Sequence, residues 1–481
     1  MSSTLTIHLS RDPIAHISPR FLSFAVDIAQ VVGGRFWCAE ARCDPVPGGG
    51  TPIPAYDFNR PRLVHLVRAL SPAYLRIGGT ASDQVYYDLS EDASAPLPPG
   101  YLYRLTRHQW DAVNRFASAC GLEVVFTLNA GPGPRGAGRA WNPENGAELI
   151  AYTVAQNYPV VQWALGNEPN FFPFAHRLPI WAGRLAADYA ILRGVLRELA
   201  PGARIGGPSS PYWPVVGEML PFLNLFLRRA GPLLDVVTWH YYPQQSRRSP
   251  VATRRASARH ALSPRFLDEF SVHARRVEAA RDRYAPQAEI WLEETGNAQC
   301  GGEPGLSDRF IAGFWWLDQL GQASRRGYPV VIRQNLSGAD YALLEDATLT
   351  PNPDYWNSLL WRRWMGTAVF DAQPANAAPL CRVYAHDTPD VPGSRTVLAL
   401  NLNREQIVRL QFEAHLAVTA LYLVTADDLL GKALFVNGSL PAVDAEGMPV
   451  LPPPLHPRGP VELPPASYAF VIVSPRREFS Q

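Results

Sequence analysis

Lysine is almost absent from this sequence of 481 residues. Lys432 is the single lysine among 44 basic side chains, and 43 acidic side chains leave a net charge of +1. A general nucleic-acid-binding protein usually carries a clear basic excess, so this balance argues against that class. The arginine bias has two interpretations: a compositional bias shared with proline, alanine and glycine, or selection for planar donors that bind carboxylates and sulfates.

Cysteine is also scarce, with five residues and no CxxC pair. This scarcity argues against a zinc site or a dense disulfide framework, and it leaves open one bridge between Cys38 and Cys43. No run approaches about 18 apolar residues, so no membrane span is predicted. The chain reaches Arg11 and Asp12 before any apolar stretch develops, so we expect no signal peptide.

The first two-thirds of the chain alternate strand-like and helix-like segments. The strand-like segments are almost continuously apolar, as is typical of strands buried on both faces, and they lie at 21–28, 71–79, 122–129, 160–168, 203–209, 233–242, 288–295 and 327–336. Segments with helical spacing lie at 60–70, 107–120, 144–157, 182–199, 214–229, 264–284, 307–326 and 353–365. Eight such units predict an α/β fold, a (β/α)8 TIM barrel over residues 21–365. A doubly wound sheet is the alternative, but no GxGxxG or GxxxxGK[ST] follows the first strand.

The pattern changes after about residue 366. Short strand-like segments separated by turns lie at 380–386, 396–402, 407–413, 419–424, 432–436 and 468–474. Nine prolines fall between residues 441 and 465, which is typical of an extended, stiff connection. We therefore predict a β-sandwich over residues 366–481, and we expect residues 1–20 to join it as an additional strand.

Two predicted barrel strands end in carboxylates. Glu168 ends the fourth strand, and Glu293 and Glu294 end the seventh. Catalytic groups of such barrels lie at the carboxyl ends of the strands. Because side chains alternate along a strand, Glu293 and Glu294 should point in opposite directions, with only one at the barrel mouth. Carboxylates on strands 4 and 7 could approach to about 5–5.5 Å, the separation used in retaining glycoside hydrolysis.

Several motifs together resemble the heparanase branch of glycoside hydrolase family 79. They are LRIGGTASD (75–83), WALGNEPN (163–170), WHYYP (239–243), WLEETGNAQCGG (291–302), FIAGFWWLDQLG (310–321) and PDYWNSLLW (353–361). The resemblance runs in order along nearly the whole chain. It implies a barrel flanked by a β-sandwich, and retaining cleavage of β-glucuronides that needs neither metal nor cofactor.

The same resemblance implies roles for individual residues. Glu168 matches the acid/base of the family and Glu294 its nucleophile, although the family usually has glycine where this chain has Glu293. Asn167 resembles the donor to the sugar 2-hydroxyl, and Tyr242 resembles the tyrosine that orients the nucleophile. A further candidate, which could equally be a core histidine, is His240.

Recognition of the glucuronide carboxylate is also implied by the resemblance. The family uses a glycine run after the nucleophile and a tyrosine after the eighth strand. Here the run is Cys300-Gly301-Gly302, in which Cys300 replaces one expected glycine, and the matching tyrosine is Tyr341. Three further candidates for polar sugar contacts are Asp27, Thr80 and Gln334.

A loop rich in arginine follows the sixth strand, independently of any resemblance. Residues 244–260 hold no acid and five arginines, namely Arg247, Arg248, Arg254, Arg255 and Arg259. Uncompensated guanidinium groups on the catalytic face would attract a polyanion to the cleft, and Arg247 and Arg248 are candidate substrate contacts. The alternative is a solvated loop in a protein with an arginine bias.

The function predicted from the sequence is a retaining endo-β-D-glucuronidase that acts on heparan sulfate or heparin-like glycosaminoglycans. An exo-acting β-glucuronidase and, more remotely, a non-catalytic carbohydrate-binding protein are the alternatives. Some members of the family are activated by excision of an internal segment. Residues 84–106 are too few to carry one, so we expect an active single chain. The substrate class suggests a secreted or periplasmic location, and the oligomeric state stays open.

Overall fold

The computed structural model describes residues 3–37, 39, 50–135, 140–218, 221–375 and 378–476. Eight parallel strands form a closed barrel, and they span Leu22–Asp27, Ala73–Gly78, Leu122–Leu128, Val160–Leu165, Arg204–Tyr212, Val236–Tyr241, Glu289–Thr295 and Val330–Arg333. The first and eighth strands pair in parallel, which closes the sheet. The predicted TIM barrel is confirmed, and its strands are buried almost throughout, as their continuous apolar sequences indicated.

A longer helix follows each barrel strand along the chain. These helices span Pro61–Arg68, Arg107–Cys120, Glu144–Ala155, Ala182–Leu199, Phe222–Ala230, Glu269–Tyr284, Ala312–Arg325 and Pro353–Trp364. Short helical segments in the loops span Ile28–Val32, Thr80–Gln84, Pro132–Arg135, Pro169–Phe171, Phe172–Ala175, Gly231–Leu233, Ala258–Ala261 and Pro264–Leu267. Among the described residues, no helix has the length and apolar character needed to cross a membrane.

Two of these helices begin with a side-chain cap. Thr106 and Gln109 form a capping box at the start of helix Arg107–Cys120, and Gly121 ends that helix in the left-handed conformation. Asp27 caps the short helix that begins immediately after the first barrel strand, where its side chain accepts a hydrogen bond from the amide of Ala29. A carboxylate at the barrel mouth is therefore held in place by the backbone.

The predicted β-sandwich takes the form of one continuous, mostly antiparallel sheet of nine strands. In spatial order they are Phe435–Val436, Leu416–Thr425, Ser467–Pro475, Arg395–Asn401, Cys381–Asp387, Ala368–Pro374, Ser3–His16, Val408–Phe412 and Val461–Leu463. Apolar residues from both ends of this order share one core, so the sheet curls over itself. Short two-stranded ladders pair Arg35–Phe36 with Thr51–Pro52, Val85–Asp88 with Tyr103–Thr106, and Ala442–Val443 with Pro449–Val450.

The N-terminal segment belongs to this second sheet, as the sequence suggested. It pairs antiparallel with Ala368–Pro374 and in parallel with Val408–Phe412. Helix Ala312–Arg325 lies between the barrel and the sheet, and nearly all of its side chains are buried. Tyr384 of the sheet donates a 2.6 Å hydrogen bond to Asp318 of this helix. A helix that is apolar on most faces is expected when it is covered on both sides.

Candidate active site

The carboxyl ends of the barrel strands surround a cavity of about 620 Å³. Eight of the site residues predicted from the sequence line it, and these are Asp27, Thr80, Asn167, Glu168, Tyr242, Glu294, Gln334 and Tyr341. The other four do not line it, since His240, Gly301 and Arg248 are buried behind its wall and Arg247 is exposed to solvent. The topology of the barrel therefore brings together residues that are up to about 300 positions apart in the sequence.

Glu168 stands at the end of the fourth strand in an uncommon backbone conformation. Its φ of 56° and ψ of 53° lie in the left-handed region, which non-glycine residues rarely adopt. The carboxyl group is buried, and its Oε1 lies 3.0 Å from Nδ1 of His240. Burial raises the pKa of Glu168, and the negative charge of Glu294 adds to this, while the hydrogen bond from His240 opposes it. Glu168 is therefore suited to hold a proton.

Glu294 lies opposite Glu168 at the end of the seventh strand. Arg76 Nη1 donates a 2.7 Å hydrogen bond to Oε2 of Glu294, and the hydroxyl of Tyr242 donates a 2.7 Å bond to Oε1. Burial alone would raise the pKa of Glu294, but the charges of His240 and Arg76 and the Tyr242 bond outweigh burial and lower it. Glu294 is therefore held ionised, with both oxygens oriented.

The two adjacent glutamates do not point in opposite directions as strand alternation predicted. Leu292 pairs with Trp239, and Glu294 pairs with the next residue, His240, so the seventh strand contains one extra residue at a β-bulge. Only Glu294 lines the cavity, as expected, but the bulge turns Glu293 into the barrel interior. There Ser209 donates a 2.6 Å hydrogen bond to Oε2 of Glu293.

His240 is surrounded by carboxylates rather than by apolar side chains. Its Nδ1 faces Glu168 at 3.0 Å and Glu294 at 3.8 Å, and its Nε2 faces Glu293 at 3.5 Å. Burial and the charge of Arg76 lower the pKa of His240, but the three glutamates dominate and raise it to about 9. The imidazole is therefore a cation that donates from both nitrogens. Arg76 and His240 together balance ionised Glu293 and Glu294, which leaves Glu168 as the carboxyl without a compensating charge.

Arg76 is a functional residue that the sequence motifs did not single out. It is completely buried in the second strand, and its Nη2 donates a 2.8 Å hydrogen bond to the side-chain oxygen of Asn167. The amide of Gly79 donates to the same oxygen at 3.2 Å. With its oxygen engaged twice, Asn167 directs its amino group elsewhere. A charged residue inside a strand that is apolar on both faces was the available signal, because a buried guanidinium needs an anionic partner.

The remaining polar candidates lie on the first, second and eighth strands and their loops. Burial raises the pKa of Asp27 to about 7, and the nearby Glu294 contributes to this, although the bond from Ala29 opposes it. Gly79, with a φ of 99°, lies so close that an added Cβ would stand 1.9 Å from Oδ2 of Asp27. Tyr341 packs beside Tyr242, with ring centroids 6.4 Å apart. We call the part of the cavity that Asp27, Thr80, Gln334 and Tyr341 line its polar half.

Gly301 belongs to a run with left-handed backbone, in which Cys300, Gly301 and Gly302 have φ values of 64°, 82° and 84°. An added Cβ on Gly301 would stand 2.4 Å from Cβ of Trp37, so a side chain does not fit there. Replacement of the first glycine by Cys300 leaves the left-handed conformation in place. Cys300 itself lines the cavity, and the bridge between Cys38 and Cys43 that the sequence left open lies outside the described residues.

The expectation of uncompensated cations was wrong for three of the five arginines of this loop. Acids from outside the loop pair with them: Glu303 with Arg247 at 2.5 Å, Asp340 with Arg248 at 2.6 Å, and Glu269, the first residue of helix Glu269–Tyr284, with Arg254. Arg255 donates to the carbonyl oxygens of Ser246 and Ser249, at 2.7 and 2.9 Å. A count of charges within one segment of sequence missed partners that only the fold supplies.

The site also contains a group of side chains that resembles a metal site. Glu168, His240 and Glu294 each offer one ligand atom, and these atoms lie within 4.8 Å of one another. The neighbouring carboxylates raise the pKa of His240, so coordination of a cation by all three groups would require the imidazole to lose its proton.

Comparison with known proteins agrees with this geometry. The family model described as glycosyl hydrolase family 79, N-terminal domain, matches residues 35–321. Heparanase of Gallus gallus is 32% identical, over 96% of this chain and 94% of its own length. Inactive heparanase-2 of Homo sapiens is 27% identical, over 96% of this chain and 87% of its own. A solved arabinofuranosidase has a TM-score of 0.70 at 14% identity and covers 98% of this chain and 100% of its own.

The arabinofuranosidase shows likeness of fold alone, whereas the family model and the heparanase relatives match the sequence itself. The family match covers more than half of the chain, and the relative from Gallus gallus is aligned along almost all of both sequences. This chain is a glycoside hydrolase and belongs to glycosyl hydrolase family 79, among its heparanase-like members.

Proposed function

We propose that this protein is a retaining endo-β-D-glucuronidase that cleaves glucuronide linkages in heparan sulfate and heparin-like glycosaminoglycans. The observation that carries the proposal is the pair Glu168 and Glu294, whose facing oxygens lie within 4.8 Å. Retaining glycosidases separate their carboxyl groups by about 5–5.5 Å, whereas inverting enzymes need about 6.5–9.5 Å to admit a water molecule. The two pKa values are also shifted in opposite directions.

In the first step, Glu294 attacks the anomeric carbon while Glu168 protonates the leaving oxygen. Arg76 and Tyr242 hold the attacking carboxylate by its two oxygens, so it needs no reorientation during the reaction. The glycosidic C–O bond breaks, the leaving group departs as an alcohol, and a glycosyl ester with Glu294 forms.

In the second step, Glu168 acts as the base that activates water. Formation of the ester removes the negative charge of Glu294, which is one of the causes that raise the pKa of Glu168. The pKa of Glu168 therefore falls at the stage where a base is needed. Water displaces Glu294 at the anomeric carbon, so the configuration of the substrate is retained.

Substrate contacts follow from the polar half of the cavity. Asn167 has its oxygen bound by Arg76 and Gly79, so its amino group is the donor for the sugar 2-hydroxyl. The glycine run at Gly301 and the hydroxyl of Tyr341 are assigned to the uronate carboxylate, since backbone amides of a left-handed run can bind an anion without a full positive charge. Asp27, Thr80 and Gln334 are assigned to the other hydroxyls.

Trapping of the intermediate tests the reaction class. An activated 2-deoxy-2-fluoro β-glucuronide should label one peptide, and mass spectrometry should locate the label on Glu294. Glu294→Gln should abolish labelling and turnover while the far-UV and near-UV circular dichroism stay unchanged. Labelling of Glu293 instead, or wild-type turnover by Glu294→Gln, would refute the assignment.

Size analysis of heparan sulfate digests separates endo from exo action. An endo enzyme releases oligosaccharides of intermediate length from the first minutes, whereas the exo alternative releases only glucuronic acid.

The non-catalytic alternative has a specific basis, because one relative with 27% identity is named inactive heparanase-2. Binding of oligosaccharide without any change in its size would favour that alternative.

A further inference from the structure

The cavity has an apolar half opposite the polar half described above. Phe171, Phe174 and Ala175 follow the fourth strand, Trp213 follows the fifth, and the segment Ser249–Pro250–Val251 follows the sixth; all of them line the cavity. The fourth, fifth and sixth strands are neighbours on one side of the barrel, whereas Asp27, Thr80, Gln334 and Tyr341 come from the first, second and eighth strands and their loops. The aromatic residues that follow the fourth and fifth strands therefore lie across the cavity from these four polar candidates.

Three aromatic rings form a connected surface in this apolar half. Phe171 stacks on Phe174 with centroids 5.4 Å apart and an interplanar angle of 24°. Trp213 meets Phe171 edge to face, with centroids 5.6 Å apart. Phe174 is 68% exposed although it belongs to this stack. A well-supported aromatic ring that is left largely open to solvent in a cavity indicates a binding surface.

The position of this surface relative to Glu168 identifies the part of the substrate that it meets. Phe171 and Phe174 lie three and six residues after Glu168, in the loop that begins at this acid/base. Glu168 protonates the leaving oxygen, so the loop around it borders the leaving group rather than the glucuronide. The aromatic surface is therefore on the acceptor side of the scissile bond.

The charged side chains that line the cavity indicate whether a sulfated or an unsulfated sugar fits there. Among the described residues that line the cavity, Arg35 is the one basic side chain, against the carboxyl groups of Asp27, Glu168 and Glu294. The arginine loop presents Ser249, Pro250 and Val251 to the cavity, and four of its five arginines contact acids or carbonyl oxygens of the protein. Sulfate groups are normally bound by guanidinium or ammonium groups, and aromatic faces carry partial negative charge. The C–H groups on one face of an unsulfated pyranose carry partial positive charge, so they can stack on such an aromatic face.

We propose that Phe174, supported by Phe171 and Trp213, stacks against an unsulfated pyranose of the leaving group, so that this enzyme prefers glucuronide polymers of low sulfation. This preference rests on the proposed β-glucuronidase activity, and it narrows the substrate to glucuronide linkages followed by an uncharged amino sugar. Ordering of the acceptor on the ring contributes to kcat/KM because it aligns the leaving oxygen with Glu168.

The test compares two octasaccharides of alternating glucuronic acid and glucosamine, one N-acetylated and unsulfated, the other N- and 6-O-sulfated. We expect the wild type to cleave the unsulfated octasaccharide with the higher kcat/KM. Phe174→Ala should lower that kcat/KM about tenfold, as truncation of an aromatic binding residue does, and Phe174→Lys should shift preference towards the sulfated one. Trp181→Ala is the matched control, since Trp181 is 72% exposed and does not line the cavity.

Binding to the Glu294→Gln variant separates this inference from the proposed activity. Calorimetry should give weaker binding of the unsulfated octasaccharide when Phe174→Ala is added, and no change when Trp181→Ala is added. If neither octasaccharide is cleaved but binding still depends on Phe174, the proposed activity fails and the acceptor surface stands. If both are cleaved with the sulfated one preferred, and Phe174→Ala has no larger effect than Trp181→Ala, the preference is overturned.

Discussion

Nδ1 of His240 lies 3.0 Å from Oε1 of Glu168, at the centre of a buried group of five charged or titratable side chains. The others are Arg76, Glu293 and Glu294. Two cations face three carboxyl groups, which favours one protonated carboxyl in the buried group. The raised pKa of Glu168 and the lowered pKa of Glu294 favour Glu168 as the group that holds this proton.

The opposite pKa shifts of the two catalytic carboxyl groups predict a bell-shaped pH profile. Activity should fall as the pH rises through the raised pKa of Glu168, because the acid loses its proton. It should also fall as the pH decreases through the lowered pKa of Glu294, because the nucleophile becomes protonated. Glu168→Gln should remove the alkaline limb and lower kcat about 100- to 10,000-fold on natural substrate. Glu148→Gln, on an exposed helix face, should leave the profile intact.

Tyr242→Phe should weaken the orientation of the nucleophile and raise its pKa. The hydroxyl of Tyr242 donates to Oε1 of Glu294 at 2.7 Å, and a hydrogen bond to a charged group contributes about 1.5–3 kcal/mol. We expect kcat/KM to fall about ten- to a hundredfold and the acidic limb to move to higher pH. Tyr422→Phe, in the second sheet, is the control. An unshifted acidic limb in Tyr242→Phe would contradict the role of this bond.

Glu293→Gln should lower the pKa of His240. Nε2 of His240 lies 3.5 Å from Glu293, and this carboxylate is one of the three that raise the imidazole pKa to about 9. Loss of one close opposite charge should lower that pKa by about 1–3 units. NMR titration of the histidine resonances measures it, with His386, whose burial lowers its pKa to about 4, as internal reference. An unchanged His240 titration would show that Glu293 does not stabilise the imidazolium.

The arginine loop should matter for stability more than for binding of polyanions. Arg248 faces Asp340 at 2.6 Å, both side chains are almost fully buried, and Arg248 Nη1 donates to the carbonyl of Gly302 at 3.2 Å. Arg248→Ala should lower the free energy of unfolding by about 3–5 kcal/mol, because a buried carboxylate loses its cation. Exposed Arg259→Ala should change it by less than about 0.5 kcal/mol. Urea denaturation measures both, and equal effects would contradict this account.

The intact chain should be active without proteolysis. The segment between the second strand and helix Arg107–Cys120 forms a ladder of Val85–Asp88 with Tyr103–Thr106, joined by residues 89–102. This connection is short, and the ladder holds both of its ends together. Purified protein that mass spectrometry finds uncleaved should hydrolyse a β-glucuronide at full rate. Turnover that begins only after proteolytic cleavage of the chain would show that proteolytic activation is needed.

Much of the site was predictable from local sequence because most of its residues lie at the ends of barrel strands. A (β/α)8 barrel places the last residues of its strands around one cavity, so the order of the strand-like segments was enough to bring Glu168 and the Glu293–Glu294 pair to one mouth. The family resemblance singled out Glu294, Tyr242 and Asn167. Strands buried on both faces have a clear apolar signal, and this made the order of elements reliable. The strands Ala368–Pro374 and Val461–Leu463 were missed: the first has only a short apolar run before Asp371, and the second has three residues between Pro460 and Pro464.

The sequence alone was enough to predict the barrel and the order in which it presents the candidate catalytic residues. Tertiary structure alone decided how their charges combine. The bulge at Glu293 adds a third buried carboxylate beneath the site, and Arg76 reaches Glu294 and Asn167 from a different strand. Three of the five arginines of residues 244–260 are paired with acids from outside this loop. Electrostatic interaction depends on distance in space and on burial, neither of which follows from separation along the chain.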